Sequence, residues 1–439
     1  MHNLMLKDIQ IDASTAALIN EMYYKENLEL HFLTEPMGKM YPKAFATFLY
    51  SIVNNGRGNT ITIVELGARG IYFEKEVYLN IRNLDKANNK RIAETIKYII
   101  VDFSPVAIKR AMNEYENSGP NLFTTEFYVA DVLNKKELSS VGGNNFMVVL
   151  NELIDDLPQM VITKKGDAYY EIIYKPKLDL YYGEIRLAIN GYRKLNDEEA
   201  EMFAAYESRS GKLDEGYALT FSPVLDTLVG NIGAILSPEG KIFIHDYFTL
   251  PVPLKLADNL RRIYGFIEPS ALYYSIEDNK VQITADVNLQ QLVITLNQKG
   301  FEAQAMPHRF FINEYLGIKE ISLSEIAVSL NATSEEEKRM LLERISKHVP
   351  SVNTSAPNIN EELLSALKSV FRGLKLGSNS RFYAPDTKHR IDMIQEEDKR
   401  NVANEIYKFC TEHYAVANPF IDVYAYRKSR GLALRKYFK

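Results

Sequence analysis

The chain has 439 residues, of which 46% are hydrophobic and 25% charged. That length suits about three folding units, and the usage excludes a disordered, collagen-like or fibrous chain. With 52 Lys+Arg against 57 Asp+Glu the net charge is −5, which argues against an obligate polyanion binder, because neutralising phosphates takes clustered cations. Cys410 is the only cysteine, so an internal disulfide and a multi-cysteine metal site are excluded and a reducing compartment, the cytoplasm, is expected. The N-terminus, MHNLMLKDIQIDAS, reads as neither a signal peptide nor a transit peptide. No run of about 18 apolar residues marks a membrane span.

Residues 1–56 read as a helical segment. ASTAALINEMYYKENLELHF has apolar residues at mixed 3–4 spacing, with Ser14 and Thr15 as candidate caps. KAFATFLYSIVNN is a second helix, stopped at Gly56-Arg57-Gly58. Then ITIVEL (61–66), YIIVDF (98–103), FYVAD (127–131), FMVVLNE (146–152) and KIFIHDYF (241–248) recur as short apolar runs. Such runs suit strands buried on both faces, and the helical segments between them, among them PVAIKRAMNEYENS, indicate βαβ units on a parallel sheet. MVITKKGDAYYEIIY (160–174) predicts a hairpin turning at Lys165-Gly166-Asp167, and NDEEAEMFAAYESR a helix capped by Asn196, so an insertion spans about 160–220. NLQQLVITLNQKG is a helix ended by Gly300, and FEAQAMPHRFFINEYL a last strand and a turn of helix. From 319 to 439 the pattern reads as a helical extension with polar links, the clearest linker being SVNTSAPNIN.

Chemistry-bearing residues collect at the ends of the apolar runs. Glu65-Leu66-Gly67-Ala68-Arg69-Gly70 is a glycine-containing turn after the first strand, where backbone can approach a ligand closely. It also fits an ordinary βα turn. Asp102 ends the second strand and can accept from two ribose hydroxyls; it can equally cap the helix that Ser104-Pro105 opens. Its distance from the glycine turn exceeds the ~20 residues of a dinucleotide fingerprint, which weakens a nicotinamide reading. Asp131 ends the third strand and can accept from an adenine amino group, or be a solvated loop acid. Asn151-Glu152-Leu153-Ile154-Asp155-Asp156-Leu157-Pro158 follows the fourth; its acids can hold a cationic substrate, or open a helix. The informative feature is the edge that these acids and amides share. The scattered histidines offer no HExxH-like metal spacing.

The runs ELGARG, VDFSP and NELIDDLP together resemble the MidA-like branch of class I S-adenosylmethionine methyltransferases, which includes the mitochondrial complex I assembly methyltransferase. FLTEP (32–36), AYYEIIY (168–174) with Glu171, KIFIHDYF, ITADVNLQQL (283–292) and HRFFINEYLGI (308–318) resemble further segments of that family in the same order. The sequence departs from the family pattern at Ala68 and Arg69, at Asp102 for a glutamate, at DYF for DYG, and at His308 for a glutamine. The resemblance implies a Rossmann-like α/β domain over 57–318, with a mostly parallel seven-stranded sheet, an insertion between strands 4 and 5, and helical additions at both ends. It implies S-adenosyl-L-methionine as cofactor, bound by Glu65, Gly67, Ala68, Gly70, Asp102, Phe103, Ser104, Asp131, Val132 and Asn151, with no metal. It also implies methylation of a protein arginine, of a respiratory-complex subunit or similar protein, with Asn151, Glu152 and Asp155 catalytic.

Two other classes stay open. The altered glycine loop suits a non-catalytic assembly factor that keeps the fold. The basic tail YRKSRGLALRKYFK suits a methyltransferase acting on RNA, or a solvated chain end; a small-molecule acceptor is the remaining alternative. Cys410 is at helical spacing from Ile406 and reads as core.

Overall fold

The computed structural model describes residues 5–26, 37–53, 60–68, 70–119, 122–179, 184–265, 272–273, 281–317, 335–347 and 420–427, with short pieces between 352 and 404. FLTEP (32–36), Arg69, Cys410 and the tail beyond Arg427 lie outside the described residues. Two compact units divide the chain. One is Met1–Leu30, Gly56–Met306 and Phe420–Lys439; the other is His31–Asn55 and Pro307–Pro419. The two halves of the N-terminal helical segment therefore fall in different units.

In the first unit, α1 (Ala13–Glu26) is capped by neither Ser14 nor Thr15. Asp12 caps it: one carboxylate oxygen accepts from the Thr15 N–H and the Ser14 hydroxyl, each at 2.8 Å. The helix α2 (Met37–Val53) belongs to the second unit. The alternation expected from the apolar runs follows: β1 (Ile61–Leu66), α3 (Tyr72–Asn88), β2 (Ile96–Asp102), α4 (Pro105–Asn117), β3 (Thr124–Val129), the short α5 (Lys135–Leu138) and β4 (Asn145–Asn151). The centres of β1, β2 and β4 are buried on both faces, which is why they read as continuous apolar runs. Along α3, Phe73, Val77, Ile81 and Asp85 recur every four residues and form its buried stripe. Ser104 caps α4, with Pro105 at the first helical position, where its missing N–H costs nothing.

The chain then leaves the sheet through β5 (Met160–Lys165), β6 (Ala168–Asp179), β7 (Glu184–Lys194), α6 (Asp197–Ser210) and β8 (Tyr217–Phe221). It returns by α7 (Leu225–Ile235) and β9 (Leu236–Thr249). The expected hairpin is β5–β6, with Gly166 at φ 60° in its turn, and Asn196 caps α6 in a capping box with Glu199. The excursion is larger than a hairpin and a helix. With β10 (Val252–Pro253) it makes a five-stranded antiparallel sheet, ordered β10-β8-β5-β6-β7. A second hairpin, β11 (Arg261–Gly265) with β12 (Val281–Ala285), precedes β13 (Val287–Asn288), α8 (Leu289–Gln298) and β14 (Phe301–Pro307). Asn288 caps α8, and Gly300 follows its end at φ 85°.

The second unit contains α2 with α9 (His308–Leu316), joined by edge-on contacts of Phe48 with Phe311 and Tyr315, and α10 (Glu335–Ser346). Beyond it the chain re-enters the first unit as β15 (Phe420–Arg427), where a helical extension was expected. The main sheet is ordered β14-β15-β9-β4-β1-β2-β3, with β13 also on β9. It is mixed and not simply parallel, because β15 runs antiparallel to β9 while β1, β2, β3, β4 and β9 are parallel. The period-two alternation of FIDVYAYR carries Val423 and Ala425 into the core. Among the described residues no helix is long and apolar enough to cross a membrane.

His245 on β9 and Asp422 on β15 face each other in register, both buried, with Nδ1 and Oδ1 2.8 Å apart. Removing one partner strands a buried polar group. Asp422→Ala should lower unfolding stability by about 1–3 kcal/mol, and denaturant titration of the two proteins measures it.

Candidate functional site

The parallel strands end on one edge. Leu66 registers with Val101 and Leu150, Asp102 with Val129, and Asn151 with His245. The chain runs outward from β1 through β2 to β3 and then reverses to β4 on the other side of β1. In open α/β sheets this switch point, at the carboxyl ends of the strands, is where ligands bind. The residues picked out in the sequence at strand ends lie along this one edge, on which neighbouring strands are about 4.8 Å apart.

Gly67 leaves β1 at φ 72°, with its N–H donating to the Val101 carbonyl at 2.8 Å. A Cβ added there would lie 2.8 Å from Leu153 Cδ1. Both facts favour glycine: the backbone is left-handed and the acid-rich turn after β4 packs against it. Ala68 follows, half-buried, and its carbonyl accepts from the Gly70 N–H. A Cβ on Gly70 would meet Glu114 at 3.3 Å.

Asp102 is buried at the end of β2. Its Oδ1 accepts from the Ser104 N–H at 2.8 Å, while the Ser104 hydroxyl caps α4 through the Ala107 N–H. Ser104, not Asp102, is thus the helix cap. Phe103 is exposed between them. Just past β3, Asp131 is exposed and orders its own turn by accepting from the Leu133 N–H at 2.9 Å. Val132 is buried, and its carbonyl takes the Asn231 amide at 3.0 Å.

Of the acids after β4, Asp155 and Asp156 sit on a single 3₁₀ turn, Ile154–Asp156, with Glu152 just before it, and they open no α-helix. Glu152 is at φ 46°, a left-handed conformation that costs a non-glycine residue about 1–3 kcal/mol and recurs at functional sites. Its N–H donates to the His245 carbonyl at 2.8 Å. Asp246, at the same edge on β9, accepts from the Ile154 N–H at 2.9 Å, the Asp155 N–H at 3.4 Å and the Tyr247 N–H at 2.7 Å. Burial pushes its carboxyl well above the usual range, and the charges of Glu152 and Asp156 add to that. Asp155 is buried beside it. Asp156 accepts from the Tyr24 hydroxyl and from Gln282 at 2.7 Å, and Asn20 donates to its carbonyl at 3.2 Å.

Glu65 lies beneath this edge. Its carboxyl is turned into the sheet, accepting from Asn151 Nδ2 and the Tyr98 hydroxyl, each at 2.9 Å. Burial raises it to about 7. Nearby Glu74 accepts from the Thr125 hydroxyl at 2.6 Å and is pushed by burial, then by the Glu65 charge, to about 8. Glu171 is remote in role: it sits in the second sheet, held by Arg193 at 2.6 Å and by the Ala13 N–H at 2.7 Å. Sequence reasoning did not name Asn20, Tyr24 or Gln282, whose partners are far away in the chain. It noted the aspartate of HDYF only as a resemblance and did not place Asp246 in the site.

A glycine turn at the switch point, flanked by acidic strand ends, defines an α/β domain built for a nucleoside-type cofactor. Residues 45–307 match the family described as "Putative S-adenosyl-L-methionine-dependent methyltransferase", and the chain belongs to that family. S-adenosyl-L-methionine is the cofactor of the family. The left-handed, close-packed Gly67 and the acids at or just past the ends of β2, β3 and β4 fit it. No curated protein matches the chain. An uncharacterised Burkholderia thailandensis protein, solved in its native form, is similar in fold, with TM-score 0.50 and 14% identity over 95% of this chain and 87% of that one. A second Burkholderia thailandensis structure, with S-adenosyl-homocysteine bound, gives TM-score 0.45 and 14% identity over 90% of this chain and 79% of that one.

Two outcomes follow from this geometry. Gly67→Ala should cost about 1 kcal/mol of stability from its positive φ alone, read by denaturant unfolding. Glu65 and Glu74 titrate higher in the folded chain than their ordinary 4.5, so the folded state holds protons that the unfolded chain has already released. Their contribution is present below about 4.5 and is lost as pH rises through about 7 to 8. Stability should fall across that window by at most about 1.4 kcal/mol per pH unit per group. The Glu65→Gln/Glu74→Gln double variant should show a flatter pH profile in thermal melts.

Proposed function

We propose that the protein transfers the methyl group of S-adenosyl-L-methionine to a cationic nitrogen on a protein, an arginine side chain. One observation carries the reading: Glu152, Asp155, Asp156 and Asp246 crowd the ends of two adjacent strands beside the glycine turn. Such a cluster lowers its free energy by taking in positive charge.

When bound, the cofactor supplies a methyl group on a positively charged sulfur that is already a good leaving group. The chain's own share is alignment, exclusion of water and placement of charge. Gly67 and Gly70 let backbone lie against the methionine part, with Ala68 beside them. Asp102 takes the ribose hydroxyls, with Phe103 and Ser104 shaping that loop. Asp131 and Val132 flank the adenine. Asn151 is held by Glu65, which fixes how its amide faces the reacting groups. Glu152 and Asp155 orient the guanidinium by charge-assisted hydrogen bonds. Transfer of that methyl group would leave the carbon–sulfur electron pair on sulfur. The nitrogen's proton passes to Glu152 and then to water. Acceptor proteins include respiratory-complex subunits on this reading, and the place of action is the cytoplasm.

Calorimetric titration with S-adenosylmethionine and S-adenosyl-homocysteine tests the first half. Hydrogen bonds to a charged group are worth about 1.5–3 kcal/mol, so Asp102→Ala should weaken both ligands about tenfold or more. Absence of heat at millimolar ligand would overturn the reading. Mass spectrometry of the proteome with and without the protein tests the second half: arginine methylation should disappear from specific proteins, and again with Glu152→Gln. Binding without any lost mark would favour the assembly-factor reading, for which Ala68 in the glycine turn speaks.

A further inference from the structure

Tyr24 on α1 reaches two parts of this edge at once. Its hydroxyl donates to Asp156 Oδ2. Its ring stands edge-on to Phe103, centroids 6.5 Å apart at 80°, and Phe103 directly follows Asp102. Tyr23 packs edge-on behind it at 5.1 Å, so the ring is braced. One turn earlier on the helix, Asn20 bonds Ile283 through both ends of its amide, accepting at 2.7 Å and donating at 2.7 Å. It donates to the Asp156 carbonyl as well. Helix α1 is thereby locked to β12, and Gln282 from β12 reaches the other oxygen of Asp156.

The turn that carries the acids is thus gripped from two sides. Asp246 holds its backbone N–H groups from β9, and α1 with β12 holds its last residue. Fixing one end by a phenol is a choice with consequences. A hydroxyl can hold a carboxylate without neutralising it, whereas a lysine or arginine there would cancel the charge that a cationic ligand needs. The same ring meets the loop that carries Asp102.

We infer that Tyr24 is a positioning residue that ties the cofactor loop to the acid turn, setting Asp156 for a cationic acceptor when the cofactor loop is filled. This rests on the methyltransferase reading. Two substitutions separate the two ends of the side chain. Tyr24→Phe keeps the ring on Phe103 and removes the bond to Asp156. Tyr24→Leu removes both.

The experiment titrates the full-length protein with S-adenosyl-homocysteine by calorimetry. It then titrates the saturated complex with N-acetyl-arginine amide, followed by ligand-observed NMR. Tyr24→Phe should leave S-adenosyl-homocysteine affinity within twofold and weaken the arginine amide about five- to tenfold. Tyr24→Leu should weaken both. With Phe103→Ala, the Leu variant should show a non-additive loss of S-adenosyl-homocysteine affinity, while Tyr24→Phe with Phe103→Ala should be additive. A merely structural tyrosine would lower the melting temperature and leave these ligand ratios alike in both variants. Undiminished arginine-amide binding by Tyr24→Phe would overturn the inference while leaving the cofactor reading intact. Failure of the unsubstituted protein to bind S-adenosyl-homocysteine would overturn both.

Discussion

The carboxyl of Asp246 is the point on which the edge of the sheet turns. It is fully buried, yet it accepts backbone N–H groups from Ile154, Asp155 and Tyr247. Those bonds favour its ionised form; burial and the charges of Glu152 and Asp156 oppose it, and the opposition wins. The acid turn is therefore a shape held by a group whose charge is poorly supported. A positive ligand beside it would lower the energy of every carboxylate at once. Glu152 can be kept in a strained backbone conformation because the Ile154 and Asp155 N–H bonds to Asp246 and the Glu152 N–H bond to the His245 carbonyl over-determine the turn.

What the sequence made legible follows from burial. Strands β1, β2, β4 and β9 are covered on both faces, so their apolar runs stand out, and a polar residue at a run's end marks the sheet edge. Asp102, Asn151 and Glu152 were visible for that reason; Asp131 follows β3, whose residues are exposed or half-buried. Glu65 was visible too, but a carboxylate ending a run does not disclose its direction. Its carboxyl points inward, to Asn151 and Tyr98.

The missing parts are those set by distant partners. Strand β15 is eight residues long and pairs with a strand 177 positions upstream at the His245–Asp422 pair. Helical patterns precede it, so local periodicity gave it no weight. The second sheet takes β10 from beyond the expected insertion, where it pairs with β8. Asn20 and Tyr24 read as ordinary polar and aromatic positions of an amphipathic helix. Their role follows from where Ile283 and Asp156 lie, and no spacing along α1 encodes that.

The order of assembly adds a constraint. Strand β9 carries both His245, which bonds β15 and whose carbonyl holds Glu152, and Asp246, which holds the acid turn. Without β15, Lys241–Tyr247 of β9 would lose the ladder partner opposite β4, and an open strand edge invites mispairing. The chain must thus bring Phe420–Arg427 back across the residues of the second unit before the strand beneath the acid turn is enclosed. Such long-range closure costs chain entropy before any contact returns it. Phe420–Arg427 thus links two properties that are usually separable: it pairs with the main sheet and, through two consecutive residues of β9, borders the acid turn.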